Sequence, residues 1–141
     1  MSFEGSTLID WAAYSRARTE LGAGFVRILG YFREDGIKSV AAIETAMRGG
    51  SAAALVIPAH TLKGEARQFG ADPLADLAER IETIARDCVE TRDSCDEAVE
   101  LVVALRPLFE QTLALLEREA NPLVARKPAG GGFGRRVSPA G

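Results

Sequence analysis

Residues 51–71 read SAAALVIPAHTLKGEARQFGA, and the fold turns on how this stretch is read. Ser51 follows Gly49 and Gly50, and serine is among the residues whose side chain best caps a first helical turn. Placed at about 100° per residue, Leu55, Ala59, Leu62, Ala66 and Phe69 share one apolar face. His60, Lys63, Gly64 and Arg67 share another, which Val56 and Ala53 extend toward the N-terminus. Gly70 is the residue type that a left-handed helix end prefers. The stretch therefore predicts a helix over 51–69 with the histidine beside the core stripe, on the solvent side. Pro58 removes one helical hydrogen bond, so this helix either kinks there or begins near it.

The same punctuation recurs on both sides. Upstream, a short helix is predicted over Leu8–Ala17, capped by Ser6 or Thr7, with Leu8, Ile9, Trp11 and Ala12 as a lid on the core. Leu21, Phe25, Ile28, Leu29 and Phe32 repeat at helical spacing over Glu20–Glu34, a stretch weakened by Gly22, Gly24 and Gly30. Ile37, Val40, Ala41 and Met47 mark a further stretch, Ile37–Arg48. Gly36 either divides these two or lies within one bent helix.

Downstream, Asp72–Pro73 opens a helix with a capping side chain and a first-turn proline. Its stripe is Leu74, Leu77, Ala78, Ile81, Ile84 and Cys88, running to about Glu90. Ser94, Asp96 and Glu97 suit the next helix start. Ala98, Val102, Leu105, Phe109, Thr112, Leu113 and Leu116 carry that helix to Ala120, with Pro107 expected to bend it. Long helices with short links predict an all-α, antiparallel up-and-down four-helix bundle with a short extra N-terminal helix. Residues 1–120 form this bundle; residues 121–141, rich in Gly, Pro and Arg, read as a disordered tail.

Composition agrees with one small domain of 141 residues, 47% apolar, 26% charged and only 6% aromatic. Residues 120–141 hold Arg126, Lys127, Arg135 and Arg136 and no acid; setting those four charges aside from a net −3 leaves −7 on the rest. So acidic a body is a poor nucleic-acid binder, which needs clustered cations for phosphates. Cys88 and Cys95 make neither a disulfide framework nor a metal motif. The N-terminal residues lack a basic segment followed by an apolar one, which speaks against a signal peptide. No uncharged apolar run approaches the roughly 18–20 residues that cross a bilayer. No membrane association and a cytoplasmic location are expected.

The polar stripe carries the chemistry. Gly64 stands one turn from His60, and a mid-helix glycine costs roughly 1 kcal/mol relative to alanine. Its missing side chain opens room for another molecule to approach the imidazole. Lys63 and Arg67 place positive charge on the same face, as incoming phosphoryl oxygens require. Imidazole changes charge between pH 5 and 8, and its neutral form is a competent nucleophile toward phosphorus. On charge alone, an ordinary solvated helix face is the better reading.

His60-Thr-Leu-Lys63-Gly64, with Gly70 ten residues after the histidine, resembles the H-x-L-K-G signature of histidine-containing phosphotransfer (HPt) domains. Ala59, Leu74 and the Ile81–Glu82 pair fit the wider frame, and the resemblance covers residues 8–117. It implies a phosphoryl carrier without kinase activity of its own. Such a protein relays the group between aspartates of response-regulator receiver domains in a two-component phosphorelay. His60 would be the acceptor, Lys63 would neutralise phosphoryl oxygens, and Gly64 would permit close docking. Glu82 falls where the family commonly has a polar residue, often glutamine, that orients the imidazole. A carboxylate there favours the charged ring; the alternatives are a solvent-facing Glu82, or Gln68 in the orienting role. Val56, Ile57, Gly64, Arg67 and Gln68 would make the partner surface. The resemblance implies no cofactor of the chain's own, Mg²⁺ being supplied by the receiver, with a hybrid histidine kinase as a further candidate partner; a monomer is expected because the partner needs the single exposed histidine face.

Two rivals remain. One is a helical adaptor or scaffold that binds receiver or kinase domains without phosphotransfer. The other is a kinase-like dimerisation module, which needs a nucleotide-binding domain that some 20 residues after the bundle cannot form.

Overall fold

The computed structural model describes residues 8–121, all helices and turns. Five α-helices run in order: α1 (Trp11–Leu21), α2 (Phe25–Arg48), α3 (Ala52–Gln68), α4 (Asp72–Thr91) and α5 (Val99–Ala120). Short 3₁₀ turns, Gly22–Gly24 and Asp96–Ala98, lead into α2 and α5. Helices α2 to α5 form the antiparallel four-helix bundle: α3 packs between α2 and α4, and α5 closes the ring against both.

The links are built as the glycines suggest. At the end of α2, Ser51 N–H donates to Ala46 O (3.0 Å) and Gly50 N–H to Met47 O (3.1 Å), with Gly50 at φ +70°. At the end of α3, Ala71 N–H donates to Ala66 O (2.9 Å) and Gly70 N–H to Arg67 O (3.1 Å), with Gly70 at φ +76°. Both are left-handed helix ends of the Schellman type. Ser51 Oγ accepts from Ala54 N–H at 3.1 Å and starts α3 as expected.

Several sequence expectations need correction. The stretches 20–34 and 37–48 are one helix, α2, beginning at Phe25 and passing through Gly36. Gly36 is buried, and a Cβ there would stand 2.3 Å from Phe109 Cε1, so its bareness admits the α5 ring instead of breaking the helix. Ile37 and Ala41 are exposed; Ser39, Val40, Ile43 and Ala46 form the inner face. Helix α1 starts at Trp11, capped by Asp10, whose side chain accepts from Ala12 and Ala13 N–H at 3.1 Å each. Ser6 and Thr7 lie outside the described residues, and Ala12 is exposed, so of the four expected lid residues Leu8, Ile9 and Trp11 meet the core. Asp72 is inside α4 and makes no capping bond, although Pro73 does occupy the first turn. Helix α3 runs unbroken through Pro58 and starts six residues before it. The expected tail beyond residue 121 lies outside the described residues.

The core is a continuous apolar cluster from all five helices. At one end, rings meet edge to face or tilted in the order Trp11, Tyr14, Phe25, Phe69, Phe32, Phe109, with centroids 5.1 to 5.9 Å apart. Such contacts add about 0.5–1.5 kcal/mol each beyond burial. This string ties α1 and the α3 end to α2 and α5. Asp10 N–H donating to Gly70 O at 2.7 Å fastens the same corner. Residue 60 lies half-way along α3, beyond this rigid end.

Candidate functional site

The helical period of α3 decides where each side chain of the central stretch goes. Leu55, Ala59, Leu62 and Ala66 are fully buried, which holds the helix against α2 and α4. That register turns His60 outward, with its side chain 57% exposed. Helix α4 presents the opposing row, in which Ala78, Ile81, Glu82 and Ala85 are all buried.

Glu82 organises the site. Its side chain is 7% exposed, and Oε2 lies 3.0 Å from His60 Nδ1. Lys63 Nζ, one turn along α3 from His60, stands 2.9 Å from Oε1. That approach is an ion pair without the alignment of a good hydrogen bond. Arg86, one turn along α4, donates to Oε2 at 2.8 Å from Nε and lies 2.8 Å from it through a terminal nitrogen. Burial pushes the Glu82 carboxyl up, but the contacts from Lys63, Arg86 and His60 outweigh it and hold the group at about 2. Glu82 is thus a carboxylate at any physiological pH.

That charge fixes the ring. An ionised carboxylate only accepts, so Nδ1 must carry the proton it offers to Oε2. In the neutral imidazole the lone pair then resides on Nε2, for which no partner exists among the described residues. The arrangement is an outward-facing nucleophilic nitrogen with a held tautomer. Two cations around one carboxylate leave net positive charge beside it.

The other expected site residues are placed as follows. Gly64 is exposed, and a Cβ built there meets nothing within 4 Å. Ile57 is 69% exposed one turn before His60, and Val56 is half-buried against the core. Lys63 is turned toward Glu82, with only 22% of its side chain exposed, and does not project freely into solvent. Arg67 is drawn away to Asp76 (3.3 Å) and Glu79 (2.7 Å) on α4. Gln68 is exposed at the end of α3, eight residues from the histidine, and Glu82, not Gln68, meets the ring. The solvent-facing alternative for Glu82 is thereby corrected. Arg86 is the member that the sequence reading does not single out; its spacing of four from Glu82 is the usual one for a helical ion pair. Among the described residues, no group of three or more His, Cys, Asp or Glu side chains is placed to hold a metal ion.

The comparisons give the bundle and its exposed histidine a family. The sequence profile of the Hpt domain matches residues 27–119, two thirds of the chain, and the chain belongs to that family of phosphorelay modules. The fold is similar to histidine-containing phosphotransfer protein B from Pseudomonas aeruginosa PAO1, with a TM-score of 0.71 at 23% identity. That likeness covers 81% of this chain and 95% of the other. No curated protein sequence matches. No helix among the described residues is long and apolar enough to cross a membrane.

Proposed function

We propose that this protein is a phosphoryl carrier that relays the group between aspartates of response-regulator receiver domains, with His60 as acceptor. The observation that carries the reading is the exposed ring whose Nδ1 is held by the buried Glu82 carboxylate. In the proposed step, the Nε2 lone pair of His60 attacks the phosphorus of an aspartyl phosphate. The bond from phosphorus to the aspartate oxygen breaks, and the aspartate leaves as a carboxylate. Positive charge that develops on the ring is balanced by Glu82, and Lys63, one turn along α3 from His60, is the cation assigned to the phosphoryl oxygens. Transfer onward is the same step reversed, with a second aspartate as nucleophile.

The receiver is expected to supply Mg²⁺ at its own aspartate. Its docking surface on this chain is Ile57, Val56 and Gly64 around His60, with Arg67 and Gln68 at the rim. A small apolar centre with a polar rim suits a transient partner. A monomer in the cytoplasm, served by receivers or by a hybrid histidine kinase, fits this reading.

The test is to incubate the protein with a phosphorylated receiver and follow the label. Wild type acquires acid-labile, base-stable label, and His60→Gln acquires none while still binding the receiver. Label that persists in His60→Gln refutes the carrier, and unchanged signalling by that variant would favour the adaptor.

A further inference from the structure

We propose that Arg86 is a positioning residue that acts on His60 through Glu82, opposing a second proton on the ring while the carboxylate holds it in place; this rests on the carrier reading above. The Arg86 guanidinium reaches back one turn along α4 and sets two nitrogens 2.8 Å from Glu82 Oε2. The same oxygen lies 3.0 Å from His60 Nδ1. One carboxylate oxygen is therefore shared by the imidazole and the guanidinium, while Lys63 faces the other at 2.9 Å.

A carboxylate alone beside an imidazole favours the imidazolium, because an opposite charge within about 4–6 Å stabilises the charged form. For a carrier this is harmful. The extra proton would sit on Nε2, the nitrogen that must attack phosphorus. With Lys63 and Arg86 present, two positive charges surround one negative charge, and a second proton on the ring is opposed. The charged group on the ring is Glu82 of α4, and the cations on that carboxylate come from two helices, Lys63 from α3 and Arg86 from α4. Among the described residues, no charged side chain of α1, α2 or α5 pairs with any of them.

The two cations are not equivalent. Lys63 lies on the histidine's own helix, where arriving phosphoryl oxygens compete for it. Arg86 stands behind the carboxylate on the neighbouring helix and keeps its charge at every pH at which the protein is folded. Its fork holds Oε2 through two N–H groups, which also fixes the oxygen that Nδ1 must reach.

His60 is the chain's single histidine, so untagged protein gives one imidazole titration by NMR. Arg86→Met is expected to raise that midpoint by about one pH unit relative to wild type. The rising limb of phosphoryl acceptance from a phosphorylated receiver moves up in pH by the same amount. Arg86→Lys restores both. A midpoint unmoved in Arg86→Met, or one that lysine does not restore, overturns the proposal. Should Arg86→Met fail to fold by circular dichroism, Arg86→Gln is the second neutral variant, with the same shift expected and the same refutation. Wild-type protein that accepts no phosphoryl group refutes the carrier reading by itself, and the titration still decides whether Arg86 governs the ring.

Discussion

Lys63 Nζ and Glu82 Oε1 lie 2.9 Å apart across the α3–α4 contact, so the cation one turn along α3 from the histidine is committed to a carboxylate on the neighbouring helix. With His60 and Arg86 on the other oxygen, Glu82 joins the two helices as well as holding the ring. Stability and chemistry therefore meet at one side chain.

Glu82 should make the fold acid-sensitive. Its carboxyl is held at about 2 in the folded chain, below the ordinary 4.5. A depressed folded value means that the stabilisation is complete above about pH 4.5 and is lost as pH falls toward 2. Because Arg86 is 56% exposed and partly screened, the contribution is on the order of 2 kcal/mol and not the full shift. Glu82→Gln is expected to lose this amount at neutral pH in urea unfolding, and to converge with wild type near pH 2. Parallel curves at all pH values would contradict it.

Glu65 works in the opposite direction. Burial, then the neighbouring Asp35 carboxyl on α2, pushes the Glu65 carboxyl up to about 7. The folded chain binds the extra proton between about 4.5 and 7, so stability falls as pH rises through that window. Glu65→Gln removes the penalty. It should be more stable than wild type by about 1 kcal/mol above pH 7, with no difference below pH 4.5. Thermal melts across that range measure it.

Two helical glycines should respond oppositely to alanine. At Gly64 a Cβ meets nothing within 4 Å, so Gly64→Ala gains helix propensity, up to about 1 kcal/mol. The same methyl sits on the proposed docking face and should slow phosphoryl acceptance about ten-fold, or about 1.4 kcal/mol. At Gly36 the Cβ would meet Phe109 Cε1 at 2.3 Å, and overpacking of this kind costs about 1–3 kcal/mol. Denaturation together with a transfer assay separates the two effects.

Ile57 should matter only when a partner is present. At 69% exposure it contributes little to the core, so Ile57→Glu should change stability by less than about 0.5 kcal/mol. An apolar residue at the centre of a small interface is worth more, and Kd for a receiver should weaken about ten-fold. Calorimetric titration with the receiver checks this, and an unchanged Kd places docking elsewhere.

The α3 stripe was legible because periodicity needs only local information. Leu55, Ala59, Leu62 and Ala66 recur at helical spacing and are all fully buried, and the same register turns His60 outward. The turns at Gly50 and Gly70 were legible for a similar reason, since a left-handed backbone is costly for residues with a Cβ. Gly36 left the local reading open between a break and one continuous helix. A propensity cost of about 1 kcal/mol looks like a break, yet it is outweighed by the Phe109 ring that fills the gap. Ile37 and Ala41, grouped with Val40 and Met47 by sequence, are exposed, because apolar residues also face water and only packing decides which do.

By itself the sequence determined the helices, the order in which they are strung, and one outward histidine with a cation and a bare position near it. These depend on spacing along a single helix, where 3.6 residues per turn dictates which side chains are neighbours. Only the tertiary structure decided that Glu82 is buried against Nδ1, that Arg86 shares its oxygen, and that Arg67 is drawn off to Asp76 and Glu79. Those partners stand on different helices, and which faces meet is settled by how the α3 and α4 cores interlock, a sum over many contacts that no single stretch of chain contains.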